Sequence, residues 1–379
     1  MEGINSYPLS DHLVLHDTNA ERLHLLNPMA RSIWQACDQG FELSDIARML
    51  AESHRMSMDA ALATVRRTME TWLEPAPADT PQTASEETRA AHPPPARISR
   101  FYGYYDRTVS VNYSTSELES LIHPVFESMA TSAASQSDHV FDVYQDESNF
   151  ILACDRQEIG RTDSLEDIAL DAIREITQLS YQSPPCLAIL HAGVVASSDR
   201  AILIAGQGGS GKTTLAAALI KNGFVHISDD VAPILIANHE VFPIPMALCV
   251  KEGSWQALRA WYPELAEQRV YQRYGKQARF LSPGSSATQA PNRSYPVSHI
   301  LFPNYRAGVS ASFTPLAATG ILQQMIEAGS VLGGGFDSVK VESLLAWIQS
   351  LRGYALEYDD LTDALDLIQQ IDGIAASQS

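Results

Sequence analysis

The stretch Ile202-Leu203-Ile204-Ala205-Gly206-Gln207-Gly208-Gly209-Ser210-Gly211-Lys212-Thr213-Thr214 decides how the rest of the chain is read. Its apolar start predicts a buried strand, and Leu215 to Lys221 continue as a helix. Between them stands G-x-x-x-x-G-K-T, the pattern of a phosphate-binding P-loop. Its glycines let backbone N–H groups turn inward without Cβ clashes and cradle phosphate oxygens. The helix N-terminus adds the positive end of its dipole. On this reading residues 206–214 hold a nucleotide, Lys212 reaches its β- and γ-phosphates, and the Thr213 hydroxyl binds Mg²⁺. ATP and Mg²⁺ are the implied cofactors. A glycine-rich turn with no ligand is the bland alternative, and the strand before and helix after weigh against it.

Downstream the chain reads NGFVHISDD over residues 222–230. Gly223 is a natural helix stop. A short strand then delivers Asp229 and Asp230 to its C-terminal end, the edge where α/β sheets bind ligands. The strand–loop–helix–strand order predicts a parallel βαβ unit. Consecutive strand side chains point to opposite sides, so one carboxylate can bind the metal while the other faces an acceptor group. Near Mg²⁺ and Lys212, an ionised aspartate suits a base that takes a hydroxyl proton during phosphoryl transfer. A solvated turn, or one metal-binding acid with an idle neighbour, is the competing reading. Further strands are expected at residues 108–113, 150–153 and 186–195, and helices at 117–130 and 165–179. Residues 98–379 therefore read as an α/β region.

The chain has 379 residues, 26 Lys and Arg against 45 Asp and Glu, and a formal charge of −19. That balance lacks the basic footprint of a nucleic-acid binder and does not suit an anionic membrane surface. Four scattered cysteines make neither a CxxC pair nor a disulfide framework, which points to free thiols in a reducing cytoplasm. Residues 75–96, PAPADTPQTASEETRAAHPPPA, carry six prolines and no large apolar residue. They read as a semi-extended linker over 75–97.

Residues 1–74 form a separate small unit in this reading. Two short apolar runs, Leu13 to Leu15 and Leu23 to Leu25, predict strands. Asn27-Pro28 starts a helix carrying Ile33, Trp34 and Cys37, which Gly40 ends. Ser44 caps a second helix, and residues 58–73 make a third with Leu62, Val65, Met69 and Trp72 at helical spacing. Two strands and three helices make a winged-helix-like α+β domain. Eleven acidic against six basic residues disfavour DNA for it.

Both parts resemble known families. GGSGKTTLAAALIKNGFVHISDD, with seventeen positions from Lys212 to Asp229, resembles the core of the HPr kinase/phosphorylase family. LHAGVV around His191 matches the family's habit of placing a histidine there, and VFPIP at 241–245 and HILFP at 299–303 resemble HPr-kinase-related proteins found beside peptide-modification genes. The resemblance implies Asp229 as catalytic base, Asp230 as metal ligand, Lys212 as the loop lysine and His191 as an active-site histidine. Thr213-Thr214 stands where the HPr-phosphorylating enzymes have Ser-Glu. Residues 11–73, with L-N-x-x-A-x-x-I-W at Leu26, Asn27, Ala30, Ile33 and Trp34, resemble PqqD-like peptide-recognition domains. That resemblance implies a leader peptide added as a strand beside the small sheet and packed on the third helix. His24, Leu26, Val65 and Met69 are the expected contacts.

The combined expectation is an α/β P-loop kinase domain of HPr-kinase-like fold preceded by a small winged-helix-like domain. It is a cytoplasmic kinase for a Ser or Thr hydroxyl of a ribosomally made precursor peptide. Other peptide-modifying enzymes are possible partners, and nucleic acid and membrane are not. A kinase of a small hydroxylated metabolite and a nucleotide-gated, non-catalytic peptide chaperone are the alternatives. Lys251, Arg279 and Arg306 are weaker candidates for holding an acidic substrate or the departing phosphate.

Overall fold

The structure, a computed structural model, describes residues 3–19, 22–73, 89–132, 137–182, 185–197, 199–273, 275–282, 284, 293–329, 331–332 and 337–371. The chain divides into two compact units. The first holds Met1–Ala84 with Ala317–Ile326 and Gly334–Gln349, and the second holds the remainder. Most of the linker expected at 75–97 lies outside the described residues. Its end is not a free tether: Ala90 bridges Gln157, the Ala91 amide donates to the Arg156 carbonyl, and Ala91 is buried. This segment is thus held by an isolated bridge to the edge strand Gln157–Thr162.

In the first unit the strands Ile4–Leu9, His12–Asp17 and Arg22–Leu26 form an antiparallel sheet with His12–Asp17 central. The strand Ile4–Leu9 goes beyond the two that apolar runs suggested. Its INSYPL sequence is half polar and mostly solvent-facing, so it leaves no run to detect. Helices Pro28–Asp38, Leu43–His54 and Met58–Leu73 follow. Asn27 accepts a hydrogen bond from the Ala30 amide at 2.9 Å, the expected cap, worth ~1 kcal/mol. The second helix begins two residues earlier than expected, with Glu42 rather than Ser44 at its N-cap. Ile33, Trp34, Ile46, Leu50, Ala61 and Val65 close the core against Leu13, Leu15 and Leu26.

The larger unit opens with a six-stranded sheet. The strands Ile98–Tyr104, Arg107–Tyr113, His139–Asp146, Asn149–Cys154 and Gln157–Thr162 lie in that order, with the short Ala130–Thr131 at one edge. Helices Ser116–Phe126 and Leu165–Gln182 pack on it through Leu121, Phe126, Ile168 and Ile176. The first helix ends at Phe126, short of the residue 130 expected, and passes into a 3-10 turn over Glu127–Met129; Pro124 lies within its last turn.

A ten-stranded mixed sheet among the described residues follows, beside a small antiparallel sheet of Leu248–Lys251, Lys276–Leu281 and Tyr271–Arg273. The run expected as one strand over 186–195 is two. Cys186–Leu190 pairs with Ala232–Leu235, and after His191 the strand Ala192–Ser197 pairs with Arg200–Ala205 and Val225–Ser228. The expected βαβ unit is also modified. Arg200–Ala205 and Val225–Ser228 run the same way, but Ala192–Ser197 lies between them, antiparallel to both. On its other side Arg200–Ala205 pairs in parallel with Tyr295–Tyr305, which in turn pairs in parallel with Arg352–Tyr358. The C-terminal ends of these four strands and the entry to Ala192–Ser197 therefore share one edge of the sheet.

Candidate functional site

At that edge the strand Arg200–Ala205 runs out of the core into the glycine-rich loop. Gly206, Gly209 and Gly211 have φ of +146°, +92° and +101°, in the region that favours glycine. Gly211 carries a second constraint: a Cβ there would stand 2.6 Å from the Tyr358 hydroxyl. The loop delivers Lys212 as the first residue of the helix Lys212–Lys221. The Lys212 ammonium is buried and donates to the Gly206 carbonyl at 2.7 Å and the Gln207 carbonyl at 3.2 Å. Burial lowers its pKa, and the carboxylates of Asp230 and then Asp229 work against that shift. The Ser210 hydroxyl is buried without a hydrogen-bond partner beside the loop's first glycine. A lysine folded onto loop carbonyls, an orphaned hydroxyl and a cradle a Cβ would fill suit an anion with many acceptor oxygens.

The strand Val225–Ser228 ends beside this loop. Asp229 is 2% exposed; one carboxylate oxygen accepts from the Thr213 hydroxyl at 3.1 Å and the other from the Cys249 amide at 2.9 Å. Asp230 follows in a left-handed conformation, φ +65°, and the turn is closed by a Ser228 hydroxyl to Val231 carbonyl hydrogen bond. The Asp230 carbonyl accepts from His191 Nδ1 at 3.0 Å, which leaves Nε2 as the ring's acceptor. Burial, then the charge of Lys212, lowers the His191 pKa, which favours the neutral ring. Thr213 and Asp229 offer hard oxygen donors side by side, the donor type Mg²⁺ takes.

His191, Asp229 and Asp230 line one end of a cavity of about 680 Å³. The helix Leu165–Gln182 supplies another wall through Ile173, Thr177 and Tyr181, and Met246 and Phe280 supply apolar surface. The role of this helix was not legible in the sequence, because its inward residues read as an ordinary amphipathic stripe.

Several expected residues fall elsewhere. The Thr214 hydroxyl donates to Ser254 at 2.6 Å and Thr214 is buried on the helix, so its side chain is turned from the loop. Sequence position gave Asp230 to the metal, but the carboxylate bonded to Thr213 is that of Asp229. Arg279 lies over the Trp255 ring at 4.1 Å and donates to the Leu265 carbonyl, a packing role. Arg306 pairs with Glu357 at 3.1 Å. In the small domain Leu26 and Val65 are buried in its own core, which takes both off a peptide-contact surface. His24 is half-buried on the edge strand Arg22–Leu26, and Met69 is half-buried beside the Cys37 thiol.

The sequence family described as coenzyme PQQ synthesis protein D (PqqD) matches residues 12–74. Those residues are a PqqD-like domain; the match takes in the strands His12–Asp17 and Arg22–Leu26 and the three helices, and the strand Ile4–Leu9 precedes it. PqqD domains bind precursor peptides of ribosomal peptide systems, so a peptide partner fits this chain. No curated protein matches the chain. No described helix is long and apolar enough to cross a membrane.

Proposed function

We propose that the chain is an ATP- and Mg²⁺-dependent kinase that phosphorylates a Ser or Thr hydroxyl of a precursor peptide recruited by its PqqD-like domain. The observation that carries this reading is the meeting of Lys212 and Thr213 with Asp229 and Asp230, two acids that also line a cavity. The glycine-rich loop acts as a P-loop: its amides and Lys212 bind the β- and γ-phosphates, Lys212 leaving the loop carbonyls to do so. Thr213 and Asp229 hold Mg²⁺, which supplies charge neutralisation for the transferring phosphoryl group.

The acceptor hydroxyl enters from the cavity. Asp230 takes its proton, and His191, bonded to the Asp230 carbonyl, fixes the turn that aims it. This division reverses the one suggested by sequence position. Its ground is that the Asp229 carboxylate accepts from the Thr213 hydroxyl, which ties it to the metal-binding oxygen, and from the Cys249 amide. Ile173, Met246 and Phe280 give part of the cavity an apolar lining that limits water near the acids, while the helix Leu165–Gln182 also presents Asp171 and Arg174 to it. Incubation of the protein with Mg²⁺, ATP and the precursor peptide encoded beside it, read by mass spectrometry, tests the proposal.

The cavity volume itself favours a second reading, because 680 Å³ lies within the range of small-molecule sites. A small hydroxylated metabolite would then be the acceptor and the PqqD-like domain regulatory. Deleting residues 1–74 separates the two, since only the peptide reading predicts a loss of apparent affinity for the acceptor.

A further inference from the structure

The sheet order fixes which way a nucleotide must lie. The strand that feeds the glycine-rich loop has Ala192–Ser197 and then the aspartate strand Val225–Ser228 on one side. On the other side lie Tyr295–Tyr305 and Arg352–Tyr358, both ending at the same edge. If the terminal phosphate points to Asp229 and Asp230, the nucleoside leaves the loop on the opposite side, over Tyr305 and Tyr358.

Tyr305 stands at that place. It is 54% exposed, one of few large apolar side chains so placed among the described residues. Its amide donates to the Ser210 carbonyl at 3.3 Å, so its backbone is joined to the loop. Its Cβ lies 3.8 Å from where a Gly211 Cβ would be. The ring is braced edge-on by the buried Tyr358 ring, with centroids 6.1 Å apart and planes at 74°. The turn beyond it is fastened three times: Arg306 N–H to the Tyr358 carbonyl at 2.9 Å, Arg306 to Glu357, and Gly308 N–H to Asp359 at 2.7 Å. A lone exposed tyrosine is ordinary. One that is braced, joined to a phosphate-type loop and set on the side away from the acids is a pre-ordered aromatic surface.

We infer that Tyr305 is the stacking platform for the nucleobase of the nucleotide held by residues 206–213. This rests on the reading of that loop as a nucleotide site and adds the subsite for the base. Stacking of a base on an aromatic face is sequence-tolerant and worth ~1–3 kcal/mol by truncation, about five- to 150-fold in affinity.

The test is calorimetric titration of the full chain, wild type and variants, with two Mg²⁺-loaded probes: ADP, and inorganic tripolyphosphate, which has no base. Tyr305→Ala is expected to weaken ADP about tenfold or more and leave tripolyphosphate unchanged, and Tyr305→Phe is expected to keep wild-type affinity for both. Unchanged ADP binding by Tyr305→Ala overturns the platform. Equal weakening of both probes also overturns it, because the tyrosine then only shapes the loop. Failure of the wild type to bind either probe removes the nucleotide reading beneath it, an outcome distinct from the other two. Circular dichroism on each variant confirms that the fold is retained.

Discussion

Replacing Asp229 by Asn separates the two acids. In the wild type one oxygen accepts the Thr213 hydroxyl at 3.1 Å and the other accepts the Cys249 amide at 2.9 Å. An asparagine keeps both contacts by a change of polarity. Its carbonyl oxygen takes the Cys249 N–H, and its NH₂ donates to the Thr213 hydroxyl oxygen. The fold therefore loses only the charge assistance of two hydrogen bonds, ~1 kcal/mol in total. The metal site loses more. One carboxylate ligand is gone, and the Thr213 lone pair that Mg²⁺ needs is turned to the new amide. ADP affinity in the presence of Mg²⁺ is expected to fall at least about tenfold, ~1.4 kcal/mol, approaching the wild-type value measured in EDTA. Asp230→Asn is expected to bind Mg²⁺–ADP normally and to slow transfer by ~10²–10⁴. Calorimetry with and without EDTA, beside single-turnover rates, reads both. If Asp229→Asn keeps its Mg²⁺-dependent affinity and loses only rate, the reasoning from these contacts is refuted and Asp229 is the base.

Other outcomes follow from the same geometry. Gly211→Ala should abolish nucleotide binding, since its φ of +101° strains an alanine and its Cβ meets the Tyr358 hydroxyl; adding Tyr358→Phe should recover part of the loss, and no recovery would show that the backbone term alone matters. His226 is fully buried, its Nε2 donates to the Met246 carbonyl at 2.8 Å, and burial lowers its pKa from 6.5 to about 4. The unfolded chain therefore binds this proton first, and stability is lost as pH falls from 6.5 toward 4, by about 3 kcal/mol at most, which denaturant melts across that window measure. Deleting residues 1–74 should raise the apparent KM for full-length peptide far more than it lowers kcat, because recruitment raises local concentration without touching the chemistry. An unchanged KM in steady-state assays would move the account to the metabolite reading.

The parts legible in the sequence are those governed by local rules. The Asn27-Pro28 start, the three helices of the small domain and the strand–glycine loop–helix run all depend on neighbours within a few residues. What escaped depends on long-range pairing. The apolar run at 186–195 gives no sign that it changes place in the sheet at His191, because both halves are buried and read alike. The antiparallel strand between the loop strand and the aspartate strand precedes both in the chain, so the βαβ pattern could not reveal it. Leu26 and Val65 showed the usual ambiguity of an apolar position, and the core claimed both. The linker end at Ala90 and Ala91 belongs to a proline-rich run with no large apolar residue, yet backbone hydrogen bonding to the edge at Gln157 needs no large side chain.

Phosphoryl transfer to a peptide is read by tandem mass spectrometry of the precursor peptide after incubation with the protein, Mg²⁺ and ATP. Wild-type protein is expected to add one phosphoryl group to a Ser or Thr and Lys212→Ala none, although its PqqD-like domain still binds the peptide. An unmodified peptide with the wild type, or equal modification by Lys212→Ala, would contradict the proposed function.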